Sequence, residues 1–236
     1  EFDANVLITT WQSIYKQPAA WFKKFDVVFG DEAHLFKANS LTSVMNKMTE
    51  IRYRIGTTGT IDNKNAHKLV LEGVFGAVHK VITTKELMDN NQVANLKITC
   101  LMLKYDNETR QLLKGATYQN ELQYIIAHEK RNKLIRNLAV SCEGNTLILF
   151  QMVEKHGKIL HRLIAEKVEA NRQVFFIYGG TDVEAREEAR KLADNLDNAI
   201  IIASFGVFST GVNIPSIENV IFASPSKSKI RNLQSI

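Results

Sequence analysis

The sequence is poor in residues that cross-link or sharply bend a chain, with two cysteines and three prolines among 236 residues. Cys100 and Cys142 lie far apart and have no neighbours at the spacing of metal ligands, which argues against a zinc site and a disulfide framework. We expect both to be buried structural thiols. Disordered, collagenous and low-complexity chains are excluded as well, because 45% of the residues are hydrophobic and 23% are charged.

Long hydrophobic runs are also missing. The longest apolar blocks, at 174–178 and 199–203, are far shorter than the roughly 18 residues that a membrane span needs. Residues 1–5 carry no basic leader with an apolar stretch and a cleavage site, so no secretory signal is expected. We therefore expect a cytoplasmic protein without a membrane partner.

Charge of one sign is not concentrated in the sequence. The 30 Lys and Arg residues and 25 Asp and Glu residues give a net charge of +5. A surplus of this size permits contact with nucleic acid without demonstrating it, because many basic proteins bind none. The charge balance alone therefore assigns no partner.

Short apolar blocks that end in small or polar residues predict strands. Several are apolar without alternation, as strands buried on both faces of a parallel sheet are. The predicted strands are 6–9, 27–29, 53–56, 146–150, 174–178, 199–203 and 220–223. Apolar residues at helical spacing lie between them, at 41–48, 66–75, 156–168 and 183–196. Alternating strands and helices predict an α/β fold with doubly wound, mainly parallel sheets.

The alternation is interrupted once, between about residues 90 and 144. A polar break at 90–92 is followed by a partly alternating strand at 96–103 and a helical stretch at 109–141 that is rich in Lys and Arg. We place a domain boundary near Val93. Residues 1–92 then form one α/β domain, and residues 93–236 form a linker and a second domain.

Two adjacent carboxylates, Asp31 and Glu32, directly follow the predicted strand at 27–29. Ligands of open α/β sheets bind beyond the carboxyl ends of the strands, where these side chains emerge. In phosphoryl transfer such an Asp holds Mg²⁺ and the Glu orients and deprotonates the attacking water. The alternative is a solvated pair that caps the next helix.

The segment Asp31-Glu-Ala-His34 resembles motif II of superfamily 2 helicases and translocases, in its DEAH form. Further segments resemble other motifs of that superfamily in the same order: 7–13 motif Ib, 56–60 motif III, 147–151 motif IV and 203–215 motif V. Residues 11–13, 16–18, 21–22, 206–211 and 227–230 are similar to the UvsW-type recombination helicases of tailed phages. The resemblance spans essentially the whole chain.

The resemblance implies two RecA-like domains, both incomplete, that use ATP and Mg²⁺. It implies catalytic roles for Asp31, Glu32 and His34, with Asp31 as the Mg²⁺ ligand, and coupling roles for Thr58, Gly59 and Thr60. It implies nucleotide binding by Gly211, Asn213 and Gln234. It implies DNA binding by Thr9, Thr10, Gly179, Gly180, Ser204, Ser209 and Thr210. Helix capping is the alternative role for Thr9 and Thr10, and for the turn at 179–181.

Two helicase motifs are missing from the printed sequence. It contains no Gly-x-x-x-x-Gly-Lys-Ser/Thr loop and no complete motif VI. We therefore expect a fragment of a longer polypeptide that hydrolyses ATP negligibly by itself.

The function expected from this resemblance is that of an ATP-dependent DNA helicase or translocase acting on branched DNA in recombination, repair or replication-fork processing. We expect a monomer that binds branched or single-stranded DNA without sequence preference, in the host cytoplasm if a phage encodes it. The alternatives are the motor subunit of a restriction nuclease and a non-catalytic nucleic-acid-binding module. RNA stays open as an alternative substrate.

Overall fold

The computed structural model describes residues 5–37, 39–59, 61, 65–182, 184, 191, 195–208 and 215–226. The chain divides into two compact units, residues 1–98 and residues 99–236, called unit 1 and unit 2 below. The domain boundary near Val93 stays a prediction. The α/β fold with parallel sheets is confirmed in the described residues of both units.

Unit 1 contains a small parallel sheet with helices around it. Its elements are α1 (Trp11–Ile14), α2 (Ala19–Phe22), β1 (Val27–Gly30), a 3₁₀ turn (Ala33–Lys37), α3 (Asn39–Asn46), β2 (Tyr53–Gly56), α4 (Asn65–Phe75) and α5 (Thr84–Asp89). Strands β1 and β2 pair in parallel, with Gly30 opposite Gly56. The core contains Val44, Met45 and Met48, whose helical spacing turns one face of the α3 region inward.

Two glycines let the ends of β1 and β2 approach α4 closely. A Cβ atom on Gly30 would lie 2.8 Å from the ring of Phe75, and one on Gly56 would lie 3.0 Å from the same ring. A contact of 2.8 Å requires the Phe75 ring to move, and one of 3.0 Å is tighter than most Cβ contacts, so the packing favours glycine at both strand ends. The close packing fixes the positions at which β1 and β2 end and the following loops begin.

Unit 2 contains a four-stranded parallel sheet in the order β4-β5-β3-β6. Its elements are α6 (Asn107–Leu112), α7 (Tyr118–Ala127), α8 (Glu129–Ser141), β3 (Asn145–Phe150), a π-helical turn (Val153–Gly157), α9 (Lys158–Ala165), β4 (Val174–Ile177), β5 (Ile200–Ser204), α10 (Phe205–Phe208) and β6 (Ile217–Phe222). Every residue of β3 and β5 is buried. Successive residues face opposite sides of the sheet, so Leu147 and Leu149 join one hydrophobic cluster and Ile148 and Phe150 join another.

Three of the expected elements differ in the structure. Residues 6–9 and 96–103 form no strand, and their apolar side chains are largely exposed, because the described structure gives them no partner strand to pair with. The helical stretch at 109–141 is three helices, α6, α7 and α8. Gly115, at φ +80°, lies in the left-handed region between the first two. Most of the predicted helix at 183–196 lies outside the described residues.

The expectation of buried thiols is wrong for Cys100, which is exposed, while Cys142 is half-buried. Cys100 lies in the irregular segment that precedes α6, where the expected strand does not form. Among the described residues, no helix is both long enough and apolar enough to cross a membrane.

Candidate functional site

The carboxylate pair and the Thr57–Thr58 segment leave neighbouring strands at the same edge of the unit 1 sheet. Because β1 and β2 are parallel and Gly30 pairs with Gly56, the loops that follow them lie side by side. Two backbone hydrogen bonds join the loops: Thr57 N–H donates to the Gly30 carbonyl (3.0 Å), and Ala33 N–H donates to the Thr57 carbonyl (2.8 Å). The structure thus brings the predicted catalytic and coupling segments together.

The carboxylate of Asp31 is exposed and held in one orientation. Its Oδ1 accepts hydrogen bonds from the Glu32 backbone N–H (2.9 Å) and from the Thr57 hydroxyl (3.3 Å). A carboxylate oxygen is the hard ligand that Mg²⁺ prefers. Asp31 therefore presents a fixed oxygen donor to solvent at the carboxyl edge of the sheet.

Glu32 has a strained backbone. Its φ of +48° lies in the left-handed region, which costs a non-glycine residue about 1–2 kcal/mol. Such strain concentrates at functional sites, where the surrounding structure holds it. The Glu32 carboxylate is about half exposed, and its Oε2 lies 3.1 Å from Nδ1 of His34.

His34 joins the two loops through one ring nitrogen. The side chain is 5% exposed. Its Nδ1 lies 3.1 Å from the Glu32 carboxylate and 2.9 Å from the Thr58 hydroxyl. A carboxylate only accepts hydrogen bonds, whereas the hydroxyl of Thr58 can donate or accept. The position of one proton on His34 therefore affects both loops at once.

The residues fit Mg²⁺ bound together with a nucleotide better than a dedicated metal cage. Within the described ranges, no group of three or more His, Cys, Asp or Glu side chains could hold a metal ion by itself. Mg²⁺ in phosphoryl-transfer sites is usually bound by one or two carboxylates plus substrate phosphates. The exposed carboxylate of Asp31 matches that requirement.

The carboxyl edge of the unit 2 sheet gathers several predicted DNA-binding residues. Gly179 and Gly180 follow β4, and Ser204 ends β5. Gln151, the last residue of the segment that resembles motif IV, follows the neighbouring β3. Both glycines are exposed, and the Thr181 hydroxyl accepts a hydrogen bond from Tyr178 N–H (3.1 Å), which closes their turn. Ser204 is only 8% exposed, so its side chain offers little surface to a ligand.

Thr9 and Thr10 lie in unit 1, immediately before α1. Both are exposed. Thr10 occupies the N-cap position, yet its side chain makes no capping hydrogen bond to the helix backbone, and its Oγ1 lies 3.1 Å from Ser13 Oγ instead. The capping alternative therefore has no support from the Thr10 side chain.

Some predicted site residues are not placed by the structure. Gly59 is described and exposed, and no heavy atom of the described residues beyond its chain neighbours would lie within 4 Å of a Cβ atom added to it. Thr60, Ser209, Thr210, Gly211, Asn213 and Gln234 lie outside the described residues.

Sequence reasoning missed two features of these edges. The first is the contact of Thr57 with Asp31, which the register of β1 and β2 creates. The second is a contact of the partly buried Arg131 side chain in α8. Its Nη2 donates to the Ala223 carbonyl (2.6 Å), and its buried Nη1 has no hydrogen-bond partner in the described structure. Burial lowers the pKa of the Arg131 guanidinium.

Comparison with known sequences identifies the class of protein. Residues 129–236 match the family described as the helicase conserved C-terminal domain. The ATP-dependent DNA helicase UvsW of enterobacteria phage T4 is 37% identical over 99% of this chain and 46% of its own length. The probable helicase D10 of Escherichia phage T5 is 23% identical over 94% of this chain and 47% of its own length.

Solved structures agree with this class. The crystal structure of T4 UvsW matches 99% of this chain and 45% of the UvsW chain, with a TM-score of 0.53 and 35% identity. The Hef helicase domain of Pyrococcus furiosus matches 96% of this chain and 71% of its own, with a TM-score of 0.50 and 11% identity, which shows the fold alone.

Residues 129–236 match the helicase conserved C-terminal domain, and the whole chain is similar to a DNA helicase, in agreement with the resemblance of its motifs to superfamily 2. The chain is similar to T4 UvsW along essentially its whole length. It spans about half the length of the curated relatives that it matches. Both relatives are named as helicases, so the matches give no support to a restriction-nuclease motor or a non-catalytic binding module.

Proposed function

We propose that this chain forms part of an ATP-dependent DNA helicase or translocase that acts on branched DNA in recombination, repair or replication-fork processing. The observation that carries the proposal is the position of His34, whose Nδ1 contacts both the carboxylate after β1 and the hydroxyl after β2. The name of the phage T4 relative, an ATP-dependent DNA helicase, supports it. A phage-encoded protein of this kind would act in the host cytoplasm.

In this proposal, Asp31 and Glu32 have different tasks. Asp31, held by Thr57 and by the backbone N–H of Glu32, supplies an oxygen ligand to Mg²⁺. When bound, Mg²⁺-ATP supplies the phosphoryl group and neutralises charge on its oxygens. Glu32 orients a water molecule and accepts its proton, and the half-exposed carboxylate is accessible for that role.

His34 and Thr58 connect that chemistry to the second loop. While His34 Nδ1–H donates to Glu32, the carboxylate is held against the ring. When the Thr58 hydroxyl instead donates to Nδ1, the carboxylate loses that donor and is released towards water. Movement of the loop after β2 thus changes the orientation of Glu32. Gly59 and Thr60 complete the proposed coupling segment.

DNA contacts in this proposal read the backbone rather than the bases. The exposed hydroxyls of Thr9 and Thr10 and the exposed turn at Gly179 and Gly180 can meet phosphate groups, which carry no sequence information. Ser204, Ser209 and Thr210 belong to the same proposed path. The nucleotide-binding roles of Gly211, Asn213 and Gln234 are also proposals.

The test uses the full-length protein that contains this chain, acting as a monomer. We expect ATP hydrolysis that DNA stimulates, with a four-way junction stimulating more than linear duplex DNA of equal length and composition. Stimulation by RNA but not by DNA would show that the substrate is RNA. An absence of stimulation by every nucleic acid would contradict the proposal.

The metal assignment has its own test. Asp31→Asn should raise the Mg²⁺ concentration needed for half-maximal hydrolysis, because the amide removes the charge of the proposed ligand. Asp26→Asn is the matched control, since Asp26 is exposed and precedes the same strand at its other end. Equal Mg²⁺ dependence in the two variants would contradict the role of Asp31.

A further inference from the structure

A buried row of polar side chains lies behind the carboxyl edge of the unit 2 sheet, and the proposed function does not use it. Asn132, His156 and Ser224 are 2%, 0% and 3% exposed. Burying polar groups costs free energy unless each of them finds a hydrogen-bond partner. The three side chains, called the His156 relay below, therefore require hydrogen-bond partners inside the protein.

The His156 relay forms a continuous line of hydrogen bonds that joins α7, α8, the π-helical turn and the ends of β6 and β3. Asn132 Nδ2, in α8, donates to the Ile126 carbonyl in α7 (2.8 Å). His156, in the π-helical turn, lies with Nε2 3.2 Å from Asn132 Oδ1 and Nδ1 2.9 Å from Ser224 Oγ. Gln151 N–H, just after β3, donates to the same Ser224 oxygen (3.0 Å).

These partners allow one arrangement of protons. Because the Asn132 amide nitrogen donates to a carbonyl, its Oδ1 faces His156, and this oxygen only accepts. His156 must then carry its proton on Nε2, and its bare Nδ1 accepts from the Ser224 hydroxyl. Burial and nearby Arg131 lower the pKa of His156 to about 4, which keeps the ring neutral at neutral pH.

The relay ends at backbone groups at the carboxyl ends of β3 and β6. Ser224 follows β6, and the N–H groups of Ala223 and Ser224 both donate to the Leu149 carbonyl in β3 (2.9 and 3.3 Å). On the other side of β3, Phe150 pairs with Ser204 at the end of β5. The Ser224 hydroxyl therefore fixes the exit of β3 next to a residue of the proposed DNA path.

The π-helical turn packs directly against the end of β3. A Cβ atom on Gly157 would lie 2.5 Å from the ring of Phe150, so the turn and the strand are in close contact. Single π-helical turns occur often at functional sites. Apolar side chains of similar volume at the three relay positions would cost little stability, but they would not orient the neighbouring backbone as hydrogen bonds do.

We infer that His156 is a positioning residue: through Ser224 it fixes the backbone amide of Gln151 and so holds the carboxyl edge of β3 in place for DNA. This inference rests on the proposed function. Loss of the Ser224 hydroxyl leaves the Gln151 N–H without its partner and lets the edge move. DNA should then stimulate hydrolysis less effectively, while the sheet itself stays folded.

The first experiment compares two buried hydroxyls at opposite ends of the same sheet, in the full-length protein. Ser224→Ala removes the hydroxyl at the carboxyl edge. Thr146→Val is the matched control, because Thr146 is fully buried near the start of β3 and its hydroxyl donates to the Gly144 carbonyl (3.3 Å). Tm and the DNA concentration for half-maximal ATPase stimulation are measured for each.

We expect similar decreases in Tm, but only Ser224→Ala should raise the required DNA concentration, by about tenfold, since a displacement of about 1 Å can cost up to about a hundredfold. Equal DNA dependence in both variants would overturn the inference. If the unmutated protein shows no DNA-stimulated hydrolysis, the proposed function itself fails, which is a distinguishable result.

A second pair of variants covers the case in which Ser224→Ala does not fold. His156→Asn keeps an acceptor near the position of Nδ1, whereas His156→Leu keeps only volume. We expect His156→Asn to retain more of the DNA stimulation than His156→Leu. NMR of the His156 ring nitrogens supplies a readout without activity: the Nε2–H form at pH 7 is expected, and an Nδ1–H or doubly protonated ring would overturn the inference.

Discussion

The two parallel sheets of this chain are buried to different extents. In unit 2, β3 and β5 are buried at every residue. In unit 1, one face of β1 and β2 is largely exposed in the described structure, with Phe29 64% and Tyr53 50% accessible. Parallel sheets are normally covered on both faces. The candidate hydrolysis site thus lies on the less buried sheet, and the larger hydrophobic clusters lie in the other unit.

The carboxyl edges of the two sheets also differ in how far their polar side chains are exposed. In unit 1 the edge presents exposed Asp31 and Glu32 carboxylates to a ligand. In unit 2 the corresponding edge is braced from behind by buried His156 and Ser224. We interpret the first edge as the place of chemistry and the second as a rigid surface whose position is fixed by internal hydrogen bonds.

The largest expected stability effect tests this difference with one substitution at two positions. Ile202→Ala should lower the free energy of unfolding by about 2–5 kcal/mol, because Ile202 is fully buried in β5 and truncation leaves a cavity. Ile55→Ala, at a β2 position that is 42% exposed, should cost about 1 kcal/mol or less.

Denaturant unfolding of the full-length variants, followed by circular dichroism, measures both values. Hydrogen exchange at the amides of β2 and β5 assigns each loss to its unit. Equal losses at Ile55 and Ile202 would contradict the contrast between the two sheets.

The next effect is a pH dependence that belongs to unit 2. The pKa of His156 is lowered to about 4 from 6.5, so between these values the unfolded chain binds the proton more readily than the folded one. Stability from this group is complete above about pH 6.5 and is lost as pH falls towards 4. At about 1.4 kcal/mol per pKa unit, the total loss is about 3 kcal/mol.

Thermal unfolding at pH 7 and pH 4.5 measures this dependence in the unmutated protein and in His156→Asn. Because Asn does not titrate, the variant should lose less stability on acidification. An identical pH dependence in both proteins would show that the buried ring is not the source.

The smallest expected effect concerns DNA affinity. In the full-length protein, Thr10→Ala should weaken DNA binding by about 0.5–1.5 kcal/mol, equally for unrelated sequences. Ser204→Ala should weaken it less, because the Ser204 side chain is largely buried. Only Ser204→Ala should also lower Tm, because Ser204 is buried and Thr10 is exposed. Thr49→Ala, at another exposed threonine of unit 1, is the control.

Fluorescence anisotropy with two unrelated oligonucleotides at several salt concentrations measures these affinities. Binding should weaken steeply with salt, because phosphate contacts release counterions. A marked preference for one oligonucleotide, or unchanged affinity in both Thr10→Ala and Ser204→Ala, would place the DNA path elsewhere.

The sequence predicts the six described strands, β1 to β6, and the clearest signal comes from β3 and β5, because strands buried on both faces of a parallel sheet leave short, continuous apolar runs. The same signal is wrong at 6–9 and 96–103, because an apolar run forms a strand only where another strand is available to pair with it. Local composition does not contain that information.

The functional residues also divide into those that sequence alone identifies and those that only the folded structure brings together. Asp31, Glu32 and His34 are adjacent and form a recognisable motif, so sequence alone identifies them. Asn132, His156 and Ser224 are common residue types separated by long stretches of chain, and only the packing of α8, the π-helical turn and the end of β6 brings them together. No local pattern could have predicted that relay.

The carboxylate pair after β1 is the proposed site of ATP hydrolysis, and Glu32→Gln in the full-length protein tests this role most directly. Gln keeps the shape of the side chain but cannot accept the proton of water, so DNA-stimulated turnover should fall by about 10²–10⁴-fold while ATP still binds. Glu50→Gln is the control, because Glu50 is exposed in the same unit and pairs only on the surface with Lys23 (2.7 Å). Loss of hydrolysis is expected in Glu32→Gln alone. Hydrolysis by Glu32→Gln at the unmutated rate would contradict the proposed role.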